Sequence, residues 1–373
     1  MKKKMSLMLA ALLVLLLCTG CASRSIVETE QAQASRLDSK VETTQAEEST
    51  QQAATQEIPI SIDTDLPVKA GAKMIVVAKS KTGVYWETLR TYMKEAVAAV
   101  NEAYGYTGSD KITVTFEAPT DASAVDDQIN IIDLALAENP AVLCVSPIDK
   151  ESCQAQLDTA RDNGISVILF ESGLDDADEY TYTGTDNQAA GALAAEYLTK
   201  AVGETGTVAV LASQSLSLNT ELRLTGFEEK AAKMCPETTV LSLQGAQEDL
   251  TFEESLEEFF SKHPDIDGVF CTDEAAANAV LAFVQANPEY EIEIVGFDVG
   301  STQLEAVKSG EELGIFVQDL RKIAYETIYV AATSATTDTS VDASVEDTQI
   351  LTDAIWVDAD SLEDAEVAQY LYE

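Results

Sequence analysis

Two adjacent aromatic side chains stand at the start of the first predicted helix. Tyr85 and Trp86 follow a short apolar run (residues 74–78) and the polar loop after it. Large aromatic side chains stabilise a protein or a complex most when they are buried, so this pair predicts that other groups of the protein or a ligand cover it. Aromatic faces stack on the C–H faces of sugar rings, which makes a sugar-like ligand one candidate partner. The other interpretation is that Trp86 begins the helix as a core residue.

Acidic side chains stand at the ends of three other predicted strands. Asp149, Glu171 and Asp298 follow apolar runs at the points where loops begin. Each alone is typical of a helix N-cap or a turn. Several that converge on one cleft indicate a polar ligand, because carboxylates accept hydrogen bonds from hydroxyl groups.

Short apolar strands alternate with helices beyond residue 72. Strands that are apolar throughout predict parallel sheets covered by helices on both faces, which is the α/β class. More than eight strands exceed one sheet of usual size, so two Rossmann-like lobes are expected. Because ligands bind beyond the carboxyl ends of such strands, the polar residues should meet in a cleft between the lobes. Eight of the predicted strands are residues 74–78, 112–116, 142–145, 166–170, 208–211, 239–243, 268–271 and 293–297.

The charge of the chain excludes several classes of partner. Its 23 Lys+Arg and 65 Asp+Glu give a formal net charge of -42, with a pI of about 4.1. Such a chain repels polyphosphate and anionic lipid, so nucleic-acid binding is not expected. The single histidine, His263, excludes metal sites that need two imidazoles, and neither a P-loop nor a GxGxxG motif is present. We therefore expect no metal, no cofactor and no catalytic residue.

The first residues have the pattern of a secretion signal. A basic stretch precedes an apolar run that is too short for a membrane span of about 20 residues. The end of this run resembles a bacterial lipoprotein lipobox, which predicts a signal peptide over residues 1–20 and a lipidated Cys21. An ordinary cleaved signal is the alternative. Residues 21–72 are rich in Glu, Gln, Ser, Thr and Ala, which predicts a disordered tether that leads from a membrane anchor to the folded body.

Six short motifs resemble one known family when they are taken in order. The chain is similar to the ribose/galactose-type sugar-binding proteins of ABC importers, a periplasmic-binding family with a type I fold, over residues 73–373. The motifs are Tyr85-Trp86, Ser146-Pro147-Ile148-Asp149, Gly184-Thr185-Asp186-Asn187-Gln188-Ala189-Ala190-Gly191, Arg223-Leu224-Thr225-Gly226-Phe227, Cys271-Thr272-Asp273-Glu274-Ala275-Ala276 and Val295-Gly296-Phe297-Asp298.

The resemblance implies two lobes joined by three crossovers that form a hinge. By position, the crossovers are expected near Glu171, Gln318 and Leu351. The N-terminal lobe would then comprise residues 73–171 plus 319–350, and the C-terminal lobe residues 172–318 plus 351–373. Closure of the hinge around a ligand buries the ligand's polar groups against the protein.

The resemblance also assigns ligand-binding roles. It implies that Tyr85 and Trp86 stack on the ligand, that carboxylates accept from its hydroxyls, and that Arg223 donates to its oxygens. Lys79 is a further positive group expected at the cleft, whereas Asp186-Asn187 are expected to cap the helix that follows. The implied ligand-binding residues are Tyr85, Trp86, Asp149, Glu171, Arg223, Asp273, Asp298 and Gln318.

Three functions are compatible with these residues. The first is a monomeric, lipid-anchored receptor outside the cytoplasm, which binds a sugar-like molecule and delivers it to an ABC transporter permease. The second is a receptor of the same fold that signals to a membrane sensor kinase or chemoreceptor. The third is a cell-surface glycosidase with paired carboxylates. Gly83-Val84 stands where ribose-binding relatives often have Asn-Pro, so a ligand other than ribose is expected.

Overall fold

The computed structural model contains two six-stranded sheets, each covered by helices. It describes residues 58–175, 180–203, 205–214, 217–335 and 349–372, all within one compact unit, Gln56–Glu373. The first sheet consists of β1 (Lys73–Val77), β2 (Thr113–Glu117), β3 (Val142–Val145), β4 (Ser166–Phe170), β5 (Thr181–Thr185) and β11 (Gln349–Thr352). The second consists of β6 (Thr207–Ala212), β7 (Thr239–Gln244), β8 (Gly268–Cys271), β9 (Glu293–Phe297), β10 (Gly314–Gln318) and β12 (Ala354–Val357).

The two sheets have the same strand order. The first runs β11-β5-β4-β3-β1-β2 and the second β12-β10-β9-β8-β6-β7. Every pair is parallel except β10 with β12, which is antiparallel. Each strand from β1 to β5 therefore has a counterpart at the same position in the other sheet. The predicted α/β fold with two lobes is confirmed.

Ten α-helices and one short 3-10 helix (Gly108–Asp110) lie in the described part of the chain. The α-helices are α1 (Val84–Ala103), α2 (Val125–Ala137), α3 (Gln154–Asp162), α4 (Asn187–Val202), α5 (Leu218–Met234), α6 (Phe252–Lys262), α7 (Glu274–Ala286), α8 (Ser301–Ser309), α9 (Leu320–Ser334) and α10 (Ala365–Ala368). Over these same residues, none of the helices has both the length and the apolar character that a membrane span requires.

The first crossover between the lobes differs from the prediction. β5 pairs with β4 in the first sheet, so the chain enters the second lobe after Thr185 and not near Glu171. The strand was not recognised because its sequence, TYTGT, is polar. Its buried threonines are satisfied by side chains: the Thr183 hydroxyl lies 2.7 Å from that of Thr327. The other crossovers follow Gln318, which ends β10, and Thr352, which ends β11 one residue beyond Leu351.

The predicted tether is also shorter at its C-terminal end. Residues 58–72 belong to the folded unit, and Val68 and Ala72 are part of the core of the first lobe. The Tyr104 hydroxyl donates to the backbone carbonyl of Leu66 (2.8 Å), and the Tyr106 hydroxyl donates to that of Val68. These bonds, together with Ile60 and Ile62, which pack against the core, hold the segment in place. The predicted signal peptide, Cys21 and residues 21–57 lie outside the described residues.

Two glycines allow α4 and α5 to pack closely in the second lobe. A Cβ atom at Gly191 would lie 1.9 Å from the backbone oxygen of Arg223, and one at Gly226 would lie 2.0 Å from that of Gln188. Neither position can accept a larger side chain without separating the helices. The contact fixes the position of Arg223 on α5.

Candidate functional site

A cleft of about 370 Å³ lies between the two lobes, at the carboxyl ends of the strands. Its walls come from both sheets, and it contains six of the eight predicted ligand-binding residues. Its lining residues are Lys79, Tyr85, Trp86, Ala122, Glu171, Ser213, Gln214, Ser217, Asn219, Thr220, Arg223, Asp273, Glu274, Ala275, Asn278 and Asp298. The convergence expected from the sequence is therefore present in the structure.

Glu171 links the lobes across the cleft. It follows β4 in a left-handed conformation (φ 61°), which is unusual for a residue other than glycine and is often found at functional sites. Its Oε2 accepts from the Ser146 hydroxyl (2.6 Å) and pairs with Lys79 Nζ (3.0 Å). Its Oε1 accepts from Asn219 Nδ2 of the second lobe (2.8 Å). Both oxygens are thus engaged, and one bond crosses from lobe to lobe.

Asp298 has the equivalent position in the second lobe. It follows β9, which corresponds to β4 in strand order, and its φ of 69° is also left-handed. Gln318 Nε2 donates to its Oδ1 (2.6 Å). Burial raises the pKa of Asp298 from 3.8 to about 6; Arg223 and Gln318 oppose this shift, and the charge of Glu171 adds to it. Because the ionised form of this carboxyl is costly to bury, hydroxyl groups of a ligand that donate to it would stabilise that form.

Arg223 is the buried cation of the second lobe, and its side chain is held in one orientation. Only 2% of the residue is exposed. Its Nε donates to Asn187 Oδ1 (2.9 Å), and its Nη1 donates to the backbone carbonyl of Thr272 (2.6 Å). The guanidinium carbon lies 3.4 Å from the centre of the Phe297 ring, a cation–π arrangement. Its Nη2 is buried without a hydrogen-bond partner, so a donor at the cleft remains free for a ligand.

Asp273 and Gln318 mainly support their neighbours. Asp273 caps α7 by accepting from Ala276 N (2.9 Å), and its other oxygen accepts from Ser213 N (2.9 Å). Gln318 does not line the cleft; it lies behind Asp298, and its Oε1 accepts from the Thr185 hydroxyl (2.7 Å). Since Thr185 and Gln318 end equivalent strands, this bond joins two of the crossovers.

The aromatic pair lies both at the cleft and against the core, which are the two positions that the sequence allowed. Tyr85 and Trp86 line the cleft and are also packed against the core of the first lobe. Their rings meet edge to face, with centroids 5.0 Å apart. The Tyr85 hydroxyl is buried without a hydrogen-bond partner. Burial, with smaller contributions from Glu171 and Asp298, raises the pKa of Tyr85 well above its ordinary value, so the hydroxyl is a neutral donor.

Asp149, which the resemblance places among the ligand-binding residues, does not line the cleft in this structure. Its carboxylate accepts from the backbone nitrogen of Glu151 (2.9 Å) and from the Ser152 hydroxyl within its own loop. Ser146, the first residue after β3, is the one that contacts a cleft carboxylate. Asp149 lies too far along the loop and is a turn residue.

Several polar residues of the second lobe that line the cleft were not predicted from the sequence, and two of them contact the first lobe. Ser217 and Asn219 lie where α5 begins, and they meet Lys79 and Glu171 of the first lobe. No spacing rule marks them, because they follow a loop and not the end of a strand. Asp186 does cap α4, as expected, by accepting from Ala189 N. In the described ranges, no group of three or more His, Cys, Asp or Glu side chains is placed to bind a metal ion.

Two similar α/β lobes, three crossovers and a polar cleft between them define a two-lobed ligand-binding protein. The family profile described as "Periplasmic binding protein domain" matches residues 74–338. The chain belongs to the periplasmic binding protein family, and the resemblance inferred from the motifs is confirmed. It is accordingly a binding protein and not an enzyme.

Relatives and solved structures agree with this assignment. The chain is 25% identical to the ribose import binding protein of Salmonella typhimurium over 203 residues, which are 54% of this chain and 68% of that protein. It is also 25% identical to the xylitol-binding protein of Mycolicibacterium smegmatis, over 54% of this chain and 56% of that protein.

Solved structures show the same fold. An ABC transporter solute-binding protein from Agrobacterium vitis, solved with α-D-tagatopyranose, superposes with a TM-score of 0.70 at 23% identity. The match covers 81% of this chain and 99% of that one. A second protein from the same organism, solved with D-fucose, gives a TM-score of 0.69 at 21% identity and covers 80% and 100% of the two chains.

Proposed function

We propose that the chain is an extracytoplasmic receptor that binds a neutral sugar or polyol by closure of its two lobes and delivers it to an ABC transporter permease. The observation that carries the proposal is the pair of buried donors at the cleft, Arg223 Nη2 and the Tyr85 hydroxyl, neither of which has a partner in the protein. Buried donors are nearly always satisfied, so a ligand rich in oxygen atoms is the natural acceptor.

The charge balance of the cleft favours a neutral ligand. Lys79 is paired with Glu171, which leaves Arg223 beside Asp298, Asp273 and Glu274. An additional carboxylate on the ligand would meet more negative than positive charge. The ligands of relatives and structural neighbours, which include ribose, xylitol, tagatose and fucose, support the same ligand class.

Transport and anchoring rest on the sequence and on the relatives. Ribose import binding proteins are among the relatives, and ABC transporter solute-binding proteins are among the structural neighbours. The lipobox-like sequence around Cys21 supports a lipid anchor on the outer face of the membrane. We further propose that the receptor acts as a monomer, since its cleft is built from one chain.

A thermal-shift experiment tests ligand binding. The protein would be heated with D-ribose, xylitol, D-tagatose, D-fucose, D-arabinose or D-glucuronate. Ligand at about 100 times its Kd stabilises the folded state by about 2.7 kcal/mol, which corresponds to a rise in Tm of about 5 °C. We expect a neutral sugar or polyol to raise the Tm and D-glucuronate not to raise it. If no neutral member of the panel changes the Tm, the proposed ligand class is wrong.

A matched pair of variants tests the site itself. Arg223→Lys keeps the charge but loses the planar fork of donors, so we expect at least a tenfold loss of affinity. Asp149→Asn removes a carboxylate that the sequence suggested but that is not among the residues lining the cleft, so the affinity should stay within twofold of the wild type. Calorimetric titration with the best sugar of the panel measures both. Equal losses in the two variants would contradict the site.

A further inference from the structure

A segment of chain returns to the cleft after the last strand. β12 belongs to the second sheet, and beyond it residues 358–372 run back towards the first lobe. Leu362, Val367 and Leu371 of this segment, which we call the tail, pack against a core that includes α1 and α9. The last described residue, Tyr372, is only 8% exposed.

Tyr372 contacts the aromatic pair of the cleft. Its ring meets that of Tyr85 edge to face, with centroids 5.7 Å apart and planes at 78°. Tyr85 in turn meets Trp86 edge to face at 5.0 Å. Three rings therefore form a row, in which the two that line the cleft belong to the first lobe and the third is supplied by the tail. Such contacts stabilise the rings beyond burial alone and favour one ring orientation.

The surroundings of the Tyr372 hydroxyl belong to the cleft as well. Burial raises the pKa of Tyr372 well above its ordinary value, and the charges of Asp298 and Glu274 raise it further. Both of these carboxylates line the cleft. Tyr372 thus contacts an aromatic residue of one lobe, and the charges of two carboxylates of the other lobe act on its hydroxyl.

We propose that Tyr372 is a positioning residue of the ligand site, which fixes the orientation of the Tyr85 ring and couples it to lobe closure through the tail. Because the tail starts from the second lobe and Tyr85 belongs to the first, the contact depends on the relative position of the lobes. A ligand that closes the lobes strengthens the contact, and the contact in turn slows ligand release. The proposal rests on the proposed function, since it concerns the same cleft.

The first experiment needs no ligand. The chain has two tryptophans, Trp86 and Trp356, so Trp356→Phe leaves Trp86 as the single reporter beside Tyr85. In that background, Tyr372→Leu should raise the quenching of Trp86 fluorescence by acrylamide at least twofold. Tyr370→Phe, on the same tail, is the control and should leave quenching unchanged. Unchanged quenching in Tyr372→Leu would overturn the placement of the tail.

The second experiment measures binding of the neutral sugar that raises the Tm most in the panel above. Tyr372→Leu should lower the affinity about tenfold, mainly through faster dissociation, and should change the order of affinities across the panel. Tyr372→Phe, which keeps the ring, should restore the wild-type order, and Tyr370→Phe should bind within twofold of the wild type. A role in stability alone would lower the Tm of the ligand-free protein and leave that order unchanged.

The two experiments separate the possible failures. If the wild type binds no sugar of the panel, the proposed function fails, while the fluorescence result still decides where the tail lies. If the wild type binds and Tyr372→Leu binds equally well with the same selectivity, the role of Tyr372 is refuted and the proposed function stands.

Discussion

The affinity for a neutral sugar should fall as the pH falls through about 6, because Asp298 accepts hydroxyl hydrogen bonds best when it is ionised. Burial raises the pKa of this carboxyl to about 6, against the opposing effects of Arg223 and Gln318. A change of pH from 8 to 5 therefore converts Asp298 from the ionised to the protonated form in the ligand-free protein.

The size of the effect follows from the pKa. At pH 5, one unit below it, about one molecule in eleven has an ionised Asp298, so the affinity should be about tenfold lower than at pH 8, or about 1.4 kcal/mol. The effect on folding has the opposite sign. Since the folded pKa is above the unfolded value of 3.8, this group's contribution to stability is present below about pH 4 and is lost as the pH rises through 6, by up to about 3 kcal/mol.

Calorimetric titrations with the best sugar of the panel at pH 8, 7, 6 and 5 test this reasoning. The wild type should lose affinity below pH 6, and Asp298→Asn should bind more weakly with little dependence on pH. The titrations would be repeated in a Glu312→Gln background, because burial raises the pKa of Glu312 to about 8. This second carboxyl would otherwise titrate in the same pH range. The explanation is refuted if the wild-type affinity is flat from pH 8 to 5, or if the same loss persists in Asp298→Asn.

Three further results are expected. Lys150→Ala, which breaks an ion pair with Glu221 of the other lobe (2.6 Å), should lower the affinity by up to about fivefold, since exposed pairs contribute about 1 kcal/mol or less; the loss should vanish in titrations at 0.5 M NaCl. In urea unfolding, the wild type should lose stability between pH 6 and 9, and Glu312→Gln should reduce this loss by a few kcal/mol. The reason is that the pKa of Glu312 is about 8 in the folded state and 4.5 in the unfolded state, so stability falls as the pH rises towards 8. Gly191→Ala should lower the Tm by several degrees and weaken sugar binding, because its Cβ would displace the backbone of Arg223; an unchanged Tm would show that α4 and α5 can separate freely.

Much of the fold could be predicted from hydrophobic patterning. The bounds of β3, β4, β8 and β9 match the predicted strands, because each is a buried apolar run. β5 was missed since its burial is sustained by side-chain hydrogen bonds that form only in the assembled protein, such as the bond from the Thr185 hydroxyl to Gln318 Oε1. The pattern reports burial by apolar atoms and cannot report burial that depends on a distant polar partner.

The site could be predicted where it is built from strand ends. Glu171 and Asp298 each follow their strand directly, and both reach the cleft. Asp149 does not line the cleft; it stands several residues into a loop, whose path the sequence does not define. Asn219 and Tyr372 depend on contacts between distant parts of the chain, and nothing in their local sequence marks them.

The two lobes present equivalent carboxylates that have different tasks. Glu171 and Asp298 follow strands at equivalent positions of the two sheets, and both have a left-handed backbone conformation. Glu171 is neutralised by Lys79 and bonded to Asn219 of the other lobe, so its carboxylate mainly stabilises the contact between lobes. Asp298 has a raised pKa and lies in the same cleft as the free donor of Arg223. We propose that one repeated backbone feature supplies both the contact that holds the lobes together and the acceptor for the ligand, because the neighbours of the two carboxylates differ.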